Sequence, residues 1–351
     1  MVNVETLSTG VIESSKFIAE HAKDVKVSQT ACKQVAESIY HAMKERSYST
    51  ESWSQNTLNP KTKDIATVDW IFVVDLLNFS FWSSIDVKDT GRSDTNRFTV
   101  NYDGQSYTGY WSLCAAINRA LDDGIPITTP SFWKDEEECS NELIAQVFHS
   151  DTLEQIPMLQ ERIDCLREAG TVLTSKYGGS FANMIAQADG SAVKLVKLVV
   201  DNFKCFRDES VFEGRLVQIY KRAQILVSDI WACFNGKSYG RFDDIDSISM
   251  FADYRVPQIL HNLSCLEYSP ALSTHIRNLL PIGHGEPAEV ELRGCSIWAV
   301  ELIKEEILKS YPDAKINSIL LDFYLWDKAK EVQKYITESE IPCHRTRSIY
   351  Y

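Results

Sequence analysis

The fifteen residues "VDWIFVVDLLNFSFW", Val68 to Trp82, constrain the fold more than any other stretch. They are the most apolar run in the chain, yet shorter than the roughly 20 apolar residues that a membrane-spanning helix needs. The run therefore belongs in a protein core, and it takes two carboxylates, Asp69 and Asp75, with it. A chain of 351 residues is long enough to build that core, as one large domain or two.

Around this run the apolar spacing is mostly helical. "ESSKFIAEHA" places Ser ahead of an amphipathic turn, which predicts a side-chain-capped helix start. "KQVAESIYHAMKE" repeats Val35, Ile39 and Met43 at helical spacing. "YWSLCAAINRALDDGIPIT" predicts a helix with Leu113, Ala116, Ile117, Ala120 and Leu121 on one face, stopped at Gly124 just ahead of Pro126. "TLEQIPMLQERIDCLREAGTVLTSKYGGSF" reads as one or two helices ending near Gly178. "SAVKLVKLVVDNF", "VQIYKRAQILVSDIWACF" and "GCSIWAVELIKEEILKSY" read as further helices. Strand signals are few, and "RFTVNYDGQSYTGYW" predicts a hairpin turning at Asp103-Gly104. The charged segments "WKDEEECSNE" and "YPDAK" read as surface. There is no Pro/Gly/Ser linker and no internal repeat. The expected architecture is mainly α (α+β with a few short strands), a single globular domain over residues 1–351.

Charge narrows the function. A net charge of −13 argues against a groove for long nucleic acid, while leaving room for a small anionic ligand held by a few local cations. The nine cysteines are odd in number and scattered, with no C-x-x-C and no secretory signal at the N-terminus. Reduced thiols of a cytoplasmic protein, with the nucleus as a second compartment, are the expectation. Phosphate-loop, dinucleotide, zinc-protease and nucleophile-elbow signatures are absent, and the seven histidines are dispersed. No metal, no cofactor and no membrane partner are expected.

Three stretches combine aromatics with carboxylates: "DLLNFSFWS" (Asp75–Ser83), "MFADYRVPQ" (Met250–Gln258) and "LLDFYLWDKAKE" (Leu320–Glu331). Taken singly, each also fits an ordinary core with a helix cap or a surface ion pair. Together they point to a pocket that sandwiches a flat ring and reads its edge with carboxylates. If the third stretch is one regular helix, Asp322 and Asp327 stand about 140° apart in projection and serve different parts of a ligand.

Further strings carry a resemblance. "FADYRVPQIL", "EVELRGCSIWAVELI", "NSILLDFYLWDKA", "LNFSFW", "YWSLCAAINRALDDGIPIT" and the ending "HRTRSIYY" resemble, in the same order, the queuosine salvage family. The family's members are queuosine 5′-phosphate N-glycosylase/hydrolases. The resemblance implies a fold similar to helical DNA glycosylases without their DNA-binding surface. The activity it implies is hydrolysis of the N-glycosidic bond of queuosine 5′-phosphate, releasing queuine, a 7-deazaguanine base, for reinsertion into transfer RNA. Asp253 matches the position of the family's catalytic Asp. A carboxylate there would stabilise the oxocarbenium-like charge at C1′ or trap it covalently; the alternative is that Asp253 only pairs with Arg255.

The substrate's chemistry suggests the remaining roles. The base edge offers N1–H and an exocyclic amine, a double donor suited to one carboxylate, and its side-chain secondary amine would seek a second. Asp322 and Asp327 are the candidates. Phe251, Tyr254 and Trp326 are expected to wall or stack on the base, and Asn78 and Ser80 either reach it or only order the backbone. The family often has a histidine near "WSQNTLNP", where Asn56 or Gln55 stands instead. For the 5′-phosphate the candidates are Lys221, Arg222 and Arg255, with Arg293 and His344 also possible. Two other function classes stay open: a non-catalytic queuine or queuosine carrier, and a nucleic-acid glycosylase, which the acidic balance disfavours.

Overall fold

The protein, seen here as a computed structural model, is described over residues 8–84, 97–333 and 341–351. It is mainly helical, with three two-stranded antiparallel sheets among the described residues. The apolar run forms the helix Ile65–Leu76, started by Asp64, whose side chain accepts from Thr67 N at 3.1 Å. From Trp70 to Leu76 every residue is buried, which marks a helix surrounded by protein. It packs against the helices Lys221–Cys233, Phe181–Ala188, Tyr110–Asp122 and Leu159–Lys176. No helix among the described residues is long and apolar enough to cross a membrane.

A helix that ends inside a core leaves carbonyls that water cannot reach. Two buried guanidiniums satisfy them here. Arg222 donates to the carbonyls of Asp75 (3.2 Å) and Leu76 and to that of Cys205. Arg162 donates to the carbonyls of Leu77 and Phe79. Both guanidiniums also lie over the Phe79 ring, at 5.0 Å and 4.2 Å from its centroid.

Local signals in the sequence translate directly. Strands Thr99–Tyr102 and Gln105–Thr108 pair around Asp103 and Gly104, both at positive φ (47° and 72°), as a two-residue hairpin requires. Helix Tyr110–Asp122 follows and ends ahead of Gly124, at φ 78°. Leu121 is the exception on its predicted face, since it is exposed. Helices Leu159–Lys176 and Ala192–Asn202 fall where periodicity places them.

Four features differ from the sequence reading. Helix Val11–His21 starts after Gly10 with no side-chain cap; Ser14 is buried inside it and donates to Gln218 Oε1 at 2.8 Å. The stretch beginning "VQIY" opens in a strand, Arg215–Gln218, paired with Glu209–Phe212, and its helix begins only at Lys221. Strands Val25–Val27 and Leu266–Tyr268 pair across the chain without a strong local signal. The helix expected to open at Gly294 runs from Pro287 to Ser310, and Gly294 sits in its middle against helix Val11–His21. A Cβ there would come 2.5 Å from Ile18 Cδ1, so glycine is what lets the two helices approach.

Candidate functional site

Residues 251–255 form an irregular segment between Met250 and the helix Val256–Asn262. Two anchors hold it. The buried Arg293 donates from Nε to Ala252 O (3.0 Å) and grips Asp208 with both terminal nitrogens (2.9 and 2.6 Å). Asp208 in turn accepts from Lys221 N at 3.1 Å. One ion pair thus ties the Asp253 segment to the start of the Lys221–Cys233 helix. From the other side, Asp322 on the helix Ser318–Gln333 accepts from Phe251 N at 3.0 Å.

Asp253 is 8% exposed. Its Oδ1 accepts from Arg255 N and Val256 N, both at 2.8 Å, capping the following helix. No hydrogen bond to Oδ2 is found among the described residues. Burial pushes the Asp253 carboxyl up, and Lys221 and the two backbone bonds pull it back. Lys221 is itself buried. Burial brings its ammonium down to about 8 against the opposing pull of Asp253 and Asp75, and its Nζ lies 3.5 Å from Asn78 O.

More carboxylates gather around that lysine. Burial holds Asp322 well above the usual carboxylate range, and Asp253's charge adds to the effect. Asp75, fully buried at the end of the apolar helix, is held up first by burial and then by the charge of Asp229. Burial also pushes Asp229, on the Lys221–Cys233 helix, up to about 7, although Trp53 and Lys221 both favour its ionised form. The Tyr110 hydroxyl is close enough to feel both Asp229 and Asp75.

The outer part is aromatic and cationic. Phe251 is buried, while Tyr254, Arg255, Trp326, Lys330 and Trp111 are partly exposed. The Arg255 guanidinium lies 5.8 Å from the Tyr254 ring centroid and 6.0 Å from that of Trp326. Lys330 Nζ lies 4.5 Å from Trp326 and 5.5 Å from Trp111, and the two indoles meet edge-on at 6.5 Å. The site therefore grades from a buried acidic floor to an aromatic rim carrying positive charge.

Of the candidates taken from sequence, Asp253, Phe251, Tyr254, Asp322, Trp326, Lys221 and Arg255 come together here. Asn78 stands at the floor, donating to Asp75 Oδ1 at 3.4 Å. Others have different surroundings. Asp327 is exposed and accepts from the Tyr48 hydroxyl at 2.5 Å. Arg222 faces backbone carbonyls and two phenyl rings, with its Nε buried and unpaired. Ser80, at φ 53°, exchanges hydrogen bonds with the backbone of Ser348 and donates its N–H to Tyr351 O. Asn56 Oδ1 accepts from Leu58 N at 3.0 Å, while Gln55 is exposed. Arg293 is bound within its ion pairs, and burial keeps the His344 imidazole neutral by lowering it to about 4. Sequence reasoning gave no site role to Asp229, Tyr110 or Lys330, and took Asp75 only as part of the stretch Asp75–Ser83. A carboxylate in the mostly apolar run 225–233, eight residues after Lys221, was the signal for Asp229. An open depression of about 570 Å³ beside Glu154, Pro157, Glu161 and Arg347 includes none of these residues.

Fold and site together define a helical protein with buried carboxylates beneath an aromatic rim that carries positive charge. A family described as queuosine salvage protein matches residues 58–351, and the chain belongs to it. It is 49% identical over 348 residues to the queuosine 5′-phosphate N-glycosylase/hydrolase of Schizosaccharomyces pombe, covering 97% of this chain and 99% of the relative. The proteins of that description from Mus musculus and Sphaerobacter thermophilus are 45% and 35% identical, each match covering 97% of this chain and 98% of the relative.

Proposed function

We propose that the protein hydrolyses the N-glycosidic bond of queuosine 5′-phosphate, releasing queuine and ribose 5-phosphate. The observation that carries this reading is Asp253: a buried carboxylate beside Lys221, one oxygen fixed by two backbone bonds, between the acidic floor and the cationic rim. In the reaction the C1′–N bond breaks, its electron pair leaves with the base, and water supplies the hydroxyl to C1′ and a proton to the base. Positive charge grows on the sugar in the transition state, and a preorganised carboxylate favours that state over the bound substrate. Lys221 favours the ionised form of Asp253, because a neighbouring cation opposes the protonation that burial encourages.

The gradient of charge orients the substrate. The donor-rich base enters toward Asp322, and Phe251 covers its face. The 5′-phosphate stays at the rim with Arg255 and Lys330, whose flanking indole and phenol rings limit access of water. A single phosphate needs only those local cations, whereas a polynucleotide would bring many phosphates to a chain of net charge −13. The substrate is therefore the free mononucleotide, met in the cytoplasm or the nucleus; the nine free cysteines suit those reducing compartments.

The experiment supplies intact modified transfer RNA, its digest to 5′-mononucleotides and the dephosphorylated digest, and follows queuine release by chromatography. Release from the mononucleotides, slower release from the nucleoside and none from the intact RNA is the expected pattern. Binding without release would identify a carrier, and equal release from intact RNA a nucleic-acid glycosylase.

A further inference from the structure

The acidic floor contains more negative groups than the proposed reaction uses. Asp253 faces the sugar and Asp322 the base edge, which leaves Asp75 and Asp229 without a role. Asp75 is fully buried, its Oδ2 has no hydrogen-bond partner, and Oδ1 receives only the 3.4 Å contact from Asn78. An orphaned acceptor inside a protein is uncommon and calls for an occupant. The nearest arginine, Arg222, supplies the carbonyl of Asp75, not its carboxyl. Among the described residues, Lys221 is the cation whose charge acts on all four aspartates.

We infer that Asp229 and Asp75 form the subsite for the cationic amine on the base's side chain, and so make the site prefer a base bearing an ammonium over plain 7-deazaguanine. The inference rests on the function proposed above and adds to it the residues that set specificity. Three considerations support it. Helix Lys221–Cys233 carries Lys221 and Asp229 eight residues apart, about two turns, so one helix serves both the sugar region and the deeper subsite. Burial keeps both carboxyls above their ordinary range, and the charge of Asp229 adds to the effect at Asp75, so a cation from the ligand would favour the ionised form of each. The Asp75 Oδ2 left without a hydrogen-bond partner is an acceptor that an ammonium N–H would satisfy.

The test compares queuosine 5′-phosphate with 7-deazaguanosine 5′-phosphate, which lacks the amine, on wild type, Asp229→Asn and Asp75→Asn. Wild type should favour the cationic substrate in kcat/KM by about 30-fold or more, the scale of a desolvated charge pair. Asp229→Asn should remove most of that preference, chiefly through KM for the cationic substrate. A wild-type preference below about threefold overturns the inference whether or not the variants fold. Equal losses on both substrates in folded variants overturn it too. If wild type cleaves neither nucleotide, the proposed function fails separately. Calorimetry with free queuine and 7-deazaguanine then decides: a preference lost in Asp229→Asn supports the subsite, and equal affinities overturn it.

Discussion

Asp253→Asn separates charge from shape at the centre of the site. The amide keeps an oxygen in the place of Oδ1, so the bonds from Arg255 N and Val256 N, both 2.8 Å, survive and the Val256–Asn262 helix keeps its cap. Burial disfavours the charged carboxyl, but the buried Lys221 loses one of its counter-charges, so a stability loss of about 1 kcal/mol is expected. Catalysis should fare differently. A carboxylate about 4 Å from a developing positive charge is worth about 4 kcal/mol at the effective dielectric of partly buried sites. That corresponds to about a thousandfold in the chemical step. Single-turnover release of queuine from queuosine 5′-phosphate, with urea unfolding alongside, measures both. Asp253→Ala is the contrast: it loses the cap as well, at about 1 kcal/mol of stability. Turnover by Asp253→Asn within tenfold of wild type would refute the reasoning, because it would leave the carboxylate only its capping role.

The structure separates two aspartates that sequence treated alike. Asp322→Asn should weaken free queuine by about 1–3 kcal/mol in calorimetry, whereas Asp327→Ala, which loses only the Tyr48 contact at the surface, should leave it unchanged. Arg293→Met should cost about 3–5 kcal/mol in urea unfolding, because Asp208 and Glu289 would remain as buried charges without their partner. His344 governs part of the acid response. Its folded pKa, about 4, lies below the ordinary 6.5, so the folded state takes up its proton later and stability is lost as pH falls from 6.5 toward 4. His344→Gln should therefore gain about 2 kcal/mol relative to wild type between pH 7 and pH 5, and a difference that does not vary with pH would contradict this.

What the sequence made legible was local. The Asp103-Gly104 hairpin and the helix Tyr110–Asp122 each carry their turn or stop signal within a few residues, and both form as read. What it concealed depends on distant partners. Gly294 looks like a helix start until Ile18, 276 positions earlier in the chain, is packed against it. Val217 and Gln218 continue a helical pattern, yet the pairing with Glu209–Phe212 draws them into a strand. The same division runs through the site. The three aromatic-carboxylate stretches announced themselves, and the wide angle between Asp322 and Asp327 matches one side chain facing inward and the other outward. Asp229 also has aromatic neighbours, Trp231 and Phe234, but "SDIWACF" reads as plain helix, and only packing against the apolar helix brings it to Asp75.

The acidic floor also explains why such a site sits on an apolar helix. Asp75 is carried into the core because the helix Ile65–Leu76 is buried all round, and the guanidinium of Arg222 is held at that helix's terminal carbonyls, away from the carboxyl. A lysine or arginine placed against Asp75 would satisfy it, and would at the same time abolish the attraction for a cationic ligand. Burial holds both carboxyls above their ordinary range against the pull of Lys221, so their charge costs the fold stability, and a cationic group on the base would offset that cost. Asp229→Asn should then behave as a stabilising change that harms function. With a folded pKa of about 7 in place of the ordinary 3.8, Asp229 holds its proton longer in the folded state, and its charge destabilises the fold as pH rises through that interval. Relative to wild type the variant should gain stability between pH 5 and pH 8, opposite in sign to His344→Gln, while losing selectivity for the cationic substrate.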